Sequence, residues 1–422
     1  MRIGCARRHR RGPVTEGVLA ILLLTQARSA LGTDGLEPIG VSLESRARGG
    51  ADVAVGDSAL SQIDNPATLT LSEARTCQFD VAEEFVISRT RWIGRIDSAE
   101  SERPVGLLSN VGLTMPLDRD LSMGLALHWK AGLGSRFHTR NLMMPLITRR
   151  VGSEFAVVDP QLNVAYKLTE KMSVGAGVRI EAATAEMSAV LGPLDVDLGR
   201  GYACGGGFQL GWHYQVRRDL AVGLAYRSPT WFGDMPMPHA GASLYGWMPV
   251  YLKDAEVEDF RLPQRITAGA AWDVTERLKL VGEARWIDAS DATCGSTTVA
   301  ANVPTRLQIP FPLGYRDQWV FIGGAEFKLD KHWTLGMGYH FATQPVSEQN
   351  LLPTGSVIFQ HHLTAGLRYE LKNGWVGVGY TWALPTSMRN DGRSQIPLGV
   401  DYGCSELEQE QHGILVGFGW RW

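Results

Sequence analysis

The chain ends in Gly413-Ile414-Leu415-Val416-Gly417-Phe418-Gly419-Trp420-Arg421-Trp422, a stretch that alternates between two kinds of side chain. Successive side chains of a strand point to opposite faces, so the large apolar residues at the even positions would share one face. The other face would carry the glycines, Leu415 and Arg421. One side therefore suits lipid and the other a wet or tightly packed interior. This pattern predicts the closing strand of an outer-membrane β-barrel, with an ordinary sandwich strand as the alternative.

The first thirty residues have the layout of a secretory signal peptide. Five arginines precede an apolar run at residues 18–24, and small residues follow it around Ala30. This run is much shorter than the roughly 20 residues that a spanning helix needs. We therefore expect residues 1–30 to be removed after export.

Composition agrees with export but names no function. The chain has 48 glycines among 422 residues and a net charge of −3, and its mean hydropathy is −0.09. These values fit a barrel whose strands are half apolar, and they give no reason to expect nucleic acid as a partner. The cysteines lack metal-binding spacing, so we expect no metal and no cofactor. Whether Cys294 and Cys404 form a disulfide is left open by the sequence.

From residue 77 onward the chain divides, at a period of two, into segments of about ten residues, the length of a tilted spanning strand. Their connections alternate between short and long, giving six turns and seven loops. An even-stranded barrel with both ends on one side requires this arrangement. The predicted fold is therefore an all-β, 14-stranded antiparallel transmembrane β-barrel over residues 76–422. The predicted strands lie near 77–88, 105–116, 120–131, 157–168, 171–184, 202–216, 219–228, 260–274, 277–288, 317–329, 332–342, 357–371, 374–383 and 411–422.

The same alternation separates charged from apolar side chains. In the segment 332–342, Trp333 and Met337 would face lipid while His340 faces the lumen. A charge facing lipid costs roughly 2–4 kcal/mol at the bilayer midplane. The predicted strands place nearly all of their charged residues on the inner face, as a barrel requires.

Residues 31–75 do not have the pattern of a strand. They contain the glycine-rich stretch Arg48-Gly49-Gly50-Ala51 and, further on, Asn65-Pro66-Ala67. A fourteen-stranded barrel is wide enough to leak unless something fills it. We therefore predict that this segment is an N-terminal hatch inside the lumen.

Here the sequence resembles the FadL-type family of outer-membrane transporters of long-chain fatty acids and other hydrophobic compounds. The resemblance rests on Gly49-Gly50-Ala51, on the hatch motif Asn65, Pro66 and Ala67, on fourteen strands and on the aromatic terminus. It implies that extracellular loops capture an apolar ligand, which enters the lumen and leaves sideways through a gap at a kinked third strand. The matching strand is 120–131, where Gly124 marks either a bulge or a close approach of backbone.

Two predicted loops, 132–156 and 229–259, are rich in apolar residues. Exposed apolar patches of this size usually mark binding surfaces, and methionine suits pockets that tolerate different shapes. We predict that these loops capture the ligand, although packing against one another as a lid would also explain them. The candidate capture residues are Leu142, Met143, Met144, Trp231, Phe232, Met235, Met237, Trp247, Met248 and Tyr251.

For a carboxylate headgroup the lumen offers Arg179, Arg285 and Arg368, with Lys279 and His340 as further candidates. Arginine binds carboxylates through two parallel hydrogen bonds. However, a glutamate lies two residues from each arginine on the same predicted face. Internal ion pairs are therefore the favoured role, and specificity for fatty acids stays open.

Other functions are weaker but remain alternatives. A barrel enzyme would need a nucleophile and a base within reach, and no spacing singles them out, so we expect no catalytic residues. A general diffusion porin or a structural barrel would not need the apolar loops. We expect a monomer in the bacterial outer membrane. Its expected partners are a hydrophobic small molecule, the lipid bilayer and the outer-membrane assembly machinery.

Overall fold

The computed structural model describes residues 37–71, 76–102, 105–293, 297–310 and 314–422. Fourteen antiparallel strands pair in chain order and the last pairs with the first, so the predicted fourteen-stranded barrel is confirmed. The expected signal peptide and Cys294 lie outside the described residues. The strands are β1 (Gln78–Ile93), β2 (Val105–Pro116), β3 (Leu121–Asn141), β4 (Met144–Thr169), β5 (Met172–Leu191), β6 (Leu194–Arg217), β7 (Leu220–Arg227), β8 (Arg265–Asp273), β9 (Leu278–Ile287), β10 (Gln318–Lys328), β11 (Trp333–Ala342), β12 (His361–Leu371), β13 (Gly374–Arg389) and β14 (Glu406–Arg421).

Strands β1 and β14 close the barrel. They pair continuously from Gln78↔Arg421 to Ile93↔Glu406. Their outer ends, near Cys77 and Trp422, lie at the end of the barrel that carries the short turns. We call this the turn end and the opposite end the loop end.

The prediction of loops is wrong for two connections. Residues 132–156 mostly extend β3 and β4, which pair as far as Asn141↔Met144. Residues 185–201 likewise extend β5 and β6 as far as Leu191↔Leu194. The predicted strands were given only the length that is needed to cross a membrane. Cross-strand hydrogen bonds, however, also stabilise a hairpin outside the membrane, so the strands continue there.

The remaining long connections contain short elements. Neither described helix has the length and hydrophobicity needed to cross a bilayer. The elements are the strands Ser98–Glu100, Thr230–Phe232, Met235–Pro236, Gly241–Leu244, Met248–Val250, Lys253–Glu258, Arg261–Leu262, Thr298–Val303 and Thr305–Pro310, the short helix Ala289–Thr293 and the 3₁₀ turns Glu348–Asn350 and Val400–Tyr402.

The predicted partition of the two wall faces is confirmed. On β11 the side chain of Met337 is 57 % exposed, whereas that of His340 is fully buried. On β14, Val416 is 51 % exposed and Leu415 is 1 % exposed. Apolar side chains therefore cover the outer wall of these strands.

Residues 37–71, which we call the N-terminal segment, lie inside this wall. The segment contains helix α1 (Leu43–Ala47) and the 3₁₀ turns Ser61–Ile63 and Pro66–Leu71. Helix α1 contacts β11 to β14, and the turn Pro66–Leu71 contacts β3 to β6. Because these strands lie on different arcs of the barrel, the segment crosses the lumen.

The glycine pair after α1 has a conformational and a steric cause. Gly49 and Gly50 have φ angles of 77° and 102°, which other residues adopt only with strain. Gly49 also lies against β11, where an added Cβ would be 3.1 Å from the backbone oxygen of Tyr339. The pair therefore ends the helix and lets the chain touch the wall.

The Asn65-Pro66-Ala67 motif is a turn that is fastened to the wall. Asn65 Nδ2 donates to the backbone oxygens of Val53 at 2.7 Å and Trp212 at 3.0 Å, and its Oδ1 accepts from Ala67 N at 3.0 Å. One amide thus joins two parts of the N-terminal segment to β6.

Glycines on the inner wall make room for the N-terminal segment. An added Cβ at Gly124 would lie 2.1 Å from Gln62 Oε1, and one at Gly223 would lie 2.0 Å from Val53 O. Gly124 therefore marks a close approach, which was one of its two predicted meanings. The N-terminal segment therefore packs against the wall at positions where glycine has no side chain.

We predict that Gly223→Val displaces the N-terminal segment but leaves the barrel folded. A valine suits a strand, but its Cβ would overlap with the backbone at Val53. Sugar uptake in liposome swelling should rise well above that of the wild type. Gly282→Val is the matched control, because a Cβ there meets no atom within 4 Å. Wild-type swelling rates for Gly223→Val would contradict a segment seated in this way.

Candidate functional site

A layer of buried charges crosses the lumen at the level of the N-terminal segment. It holds four acidic and four basic side chains, and each makes an ion pair within the layer. We call it the charged layer. Its members are Glu37, Asp64, Lys130, Asp159, Arg179, Glu181, Arg227 and Arg265.

Arg179 shows how fully these cations are engaged. Its guanidinium pairs with Glu181, donates to the backbone oxygen of Ser228 at 2.7 Å and lies 3.2 Å from Thr230 Oγ1. Lys130 Nζ is 3.2 Å from the same Glu181 carboxylate. Buried charges need such partners, because an unpaired one is very costly.

Glu37 connects the N-terminal segment to this layer. Its carboxylate lies 3.0 Å from Arg265, 3.4 Å from Lys130 and 3.9 Å from Arg227. Burial alone would raise the pKa of Glu37, but the three surrounding cations lower it below its ordinary value. Glu37 is therefore an ionised carboxylate that belongs to the protein itself.

The expected ion pairs of the three arginines are confirmed. Arg179 pairs with Glu181, Arg285 with Glu283, and Arg368 with Glu370. Arg285 also donates to the backbone oxygen of Gly50, and Arg368 pairs with Glu44 at 3.0 Å. Arg285 and Arg368 therefore hold the N-terminal segment to the wall, whereas Arg179 pairs with Glu181 of its own strand.

The two remaining headgroup candidates lie elsewhere in the lumen. His340 is buried, and its Nδ1 is 3.0 Å from the backbone oxygen of Gly49. Lys279 borders a cavity of about 330 Å³ that Asp57 and Arg421 also line. This cavity opens at the turn end, so the structure does not bring the five candidates together.

An aromatic cluster lies on the loop-end side of the charged layer. The ring centroids of Phe155 and Phe260 are 5.3 Å apart, and those of Phe232 and Phe260 are 5.5 Å apart. The strand that carries Phe232 also carries Thr230, which donates to Glu181 in the layer below. The lumen thus changes from ionic to aromatic within two residues of one strand.

The candidate capture residues divide into two groups. Met144, Phe232, Met235 and Met237 are buried, and the last three belong to the same apolar core as Phe260. The exposed group comprises Leu142, Met143, Trp231, Trp247, Met248 and Tyr251.

Strands β2 and β3 separate part of the way along the wall. Among the described residues they pair only from Val111↔Leu127 to Pro116↔Ser122, although both continue towards the loop end. Further up, Glu102 N donates to Arg136 O at 2.9 Å. The interval between these contacts, residues 105–110 of β2 and 128–133 of β3, is called the wall opening below.

A β-bulge lies where the two strands part. Trp129 pairs with Val158 and Ala131 with Val157, so Lys130 is the additional residue in β3. A bulge bends its strand and re-aims side chains. It directs Lys130 into the charged layer and turns β3 away from β2.

Side chains take the place of the missing backbone bonds. Asn110 Oδ1 accepts from Trp129 N at 3.2 Å and lies 2.8 Å from His128 Nδ1. Trp129 packs against Val86 and Leu108, two residues buried within the wall. In this structure the wall opening is therefore closed by side chains.

Sequence reasoning missed Asp159, Phe155 and Phe260 as parts of the site. Asp159 lies on the inner face of β4 and a period of two could have found it. Phe155 fell within a predicted loop, and Phe260 was assigned to the start of a strand. Glu37 gave no local signal, because its partners are distant in the chain.

The fold and the lumen are those of an outer-membrane transport barrel. The family model described as "Outer membrane protein transport protein (OMPP1/FadL/TodX)" matches residues 32–387, so the chain belongs to this family. The expected family, transport role and outer-membrane location are confirmed, and the enzyme and structural-barrel alternatives are set aside. A comparison with curated proteins found no match.

Solved structures share the fold at low sequence identity. The Pseudomonas putida toluene transporter TodX is 19 % identical, with a TM-score of 0.76 over 91 % of this chain and 99 % of that one. The Ralstonia pickettii toluene transporter TbuX is 21 % identical, with a TM-score of 0.73 over 91 % and 99 %. A Pseudomonas aeruginosa FadL homologue is 14 % identical, with a TM-score of 0.69 over 92 % and 99 %.

We predict that Glu181→Gln destabilises the barrel by about 3 kcal/mol, because it removes the nearest carboxylate of both Lys130 and Arg179 and leaves them only Glu37 and the more distant Asp159. The free energy of unfolding is measured by urea titration in lipid vesicles. The control is Glu100→Gln, which removes an exposed pair with Arg89 and should cost less than about 1 kcal/mol. Equal effects of both variants would contradict a tightly coupled charged layer.

Proposed function

We propose that this protein takes up uncharged hydrophobic small molecules, with single-ring aromatic compounds as the best-fitting class. The ligand is captured at the loop end, passes the aromatic cluster and leaves sideways through the wall opening. The N-terminal segment acts as the hatch that closes the direct route through the barrel.

The observation that carries this proposal is the balance of the charged layer. Each of its four cations pairs with a protein carboxylate. A carboxylate ligand would have to displace such a partner and leave it buried without compensation. An uncharged ligand can bind without displacing any of these carboxylates.

The aromatic cluster supports the same class of ligand. Phe155, Phe232 and Phe260 present ring faces and edges that suit an aromatic guest. Met235 and Met237 lie in the same core and adapt to different shapes. Two structurally similar proteins, TodX and TbuX, are toluene transporters, which agrees with this choice.

The wall opening supports a sideways exit. The direct route is obstructed by the N-terminal segment, which glycines and ion pairs hold against the wall. A ligand that leaves through the opening has to displace the side chain of Trp129, which packs against Val86 and Leu108 there. An apolar ligand gains free energy by entering lipid rather than water.

Two further expectations concern assembly. We expect the protein to act as a monomer, since one chain closes its own barrel. The exposed aromatic residues of β14, Phe418 and Trp420, belong to the strand that the assembly machinery is expected to recognise.

In proteoliposomes or whole cells, we expect the wild type to take up labelled toluene well above the protein-free background and oleate only weakly. Deleting Lys130 removes the bulge and restores pairing between β2 and β3 without changing the face of later residues. Toluene uptake should then fall to background, while the barrel stays folded.

Lys130→Met is the control for this deletion. It removes the same charge but keeps the bulge, so uptake should persist although stability falls. Preference of the wild type for oleate would contradict an uncharged ligand class. Undiminished toluene uptake after the deletion would contradict the sideways exit.

A further inference from the structure

Glu83 is a carboxyl on the outer wall of the barrel. It lies midway along β1 and shares its face with Phe85 and Ile87, whose side chains are 48 % and 45 % exposed. The other charged residues on this face of β1, Arg89 and Arg91, lie nearer the loop end, beyond Phe85 and Ile87. Glu83 is therefore an acid group set among side chains that face lipid.

The polar neighbour of Glu83 is a serine, which forms a hydrogen bond with it, and not a basic residue. Ser109 of β2 lies directly opposite Glu83, and its hydroxyl donates to Glu83 Oε2. The neighbour on β14 is the apolar Val416. Among the described residues no donor reaches Glu83 Oε1, so one acceptor of this half-buried carboxyl group has no protein partner there.

Ser109 stands beside the wall opening. Pairing between β2 and β3 stops at Val111↔Leu127, two residues below it. The next residue, Asn110, points inward and binds His128 and the backbone of Trp129. The opening thus has a polar pair on its inner side, Asn110 and His128, and another, Ser109 with Glu83, on its outer side.

A carboxyl facing lipid reduces the stability of a barrel, and ionisable residues within a membrane usually mark a function. The cost falls when a second hydrogen-bond donor arrives. A ligand that leaves through the wall opening passes this position immediately. It is the natural source of such a donor.

We propose that Glu83 and Ser109 form an exit site that accepts a hydrogen bond from the hydroxyl group of an uncharged hydroxylated aromatic ligand. This inference rests on the proposed sideways release of uncharged aromatic molecules. A phenol fits both ends of the route, because the four cations of the charged layer are already paired with protein carboxylates and the exit offers an acceptor. A hydrocarbon passes without binding here, because it has no hydroxyl group to donate.

The test compares uptake of toluene and 4-methylphenol, two ligands that differ by one hydroxyl group. Glu83→Leu should lower the rate for 4-methylphenol on the order of tenfold, the effect of one lost hydrogen bond to a carboxylate. The rate for toluene should stay within about twofold, since toluene makes no such bond. Glu83→Gln keeps an acceptor oxygen and should retain most of the 4-methylphenol rate.

Val81→Leu, an apolar change on the same face, is the matched control and should affect neither ligand. Heat-modifiable migration confirms that each variant is folded. A resistance of Glu83→Leu to urea greater than that of the wild type would support the cost assigned to this carboxyl. Equal losses for both ligands, or no loss for either, would overturn the exit site. Failure of the wild type to take up toluene would overturn the proposed function as well.

Discussion

Closure of backbone hydrogen bonding is the constraint on which the structure depends. In lipid, each backbone N–H and C=O needs a partner within the protein, and a sheet meets this demand only when its edges join. Strands β1 and β14 join along their full common length. The separation of β2 from β3 is therefore costly, and the side chain of Asn110 supplies part of what the backbone loses there. This costly break, held in place by a bulge, supports the proposed sideways exit.

The buried charges of the lumen have structural roles, and we propose that its apolar surface binds the ligand. Arg265, Arg285 and Arg368 tie the wall to the N-terminal segment, so their charge is already compensated before any ligand arrives. Phe232 and Phe260 lie next to this layer and have no charge that needs a partner. The polar pairs on the two sides of the wall opening, Asn110 with His128 and Ser109 with Glu83, are held by hydrogen bonds rather than by ion pairs.

Much of the barrel could be predicted from the sequence, because lipid imposes a period of two on each spanning strand. Beyond the membrane this constraint ends, which explains why the hairpins 132–156 and 185–201 were mistaken for loops. The pairing of Glu181 with Arg179 followed from spacing on one strand. The approach of Glu37 to Arg265, or of Phe155 to Phe260, depends on how distant parts of the chain fold together, and no local pattern encodes it. Glu83 is an exception to the expected partition, because it lies on the outer face of β1 among apolar side chains.

The most direct measurement is a crystal structure of the protein soaked with bromobenzene, with the bromine located by its anomalous signal. The account predicts bromine positions beside Phe232 and Phe260 and at the wall opening near Trp129. Bromine along the barrel axis beneath the N-terminal segment, in the cavity between Asp57 and Lys279, would contradict it.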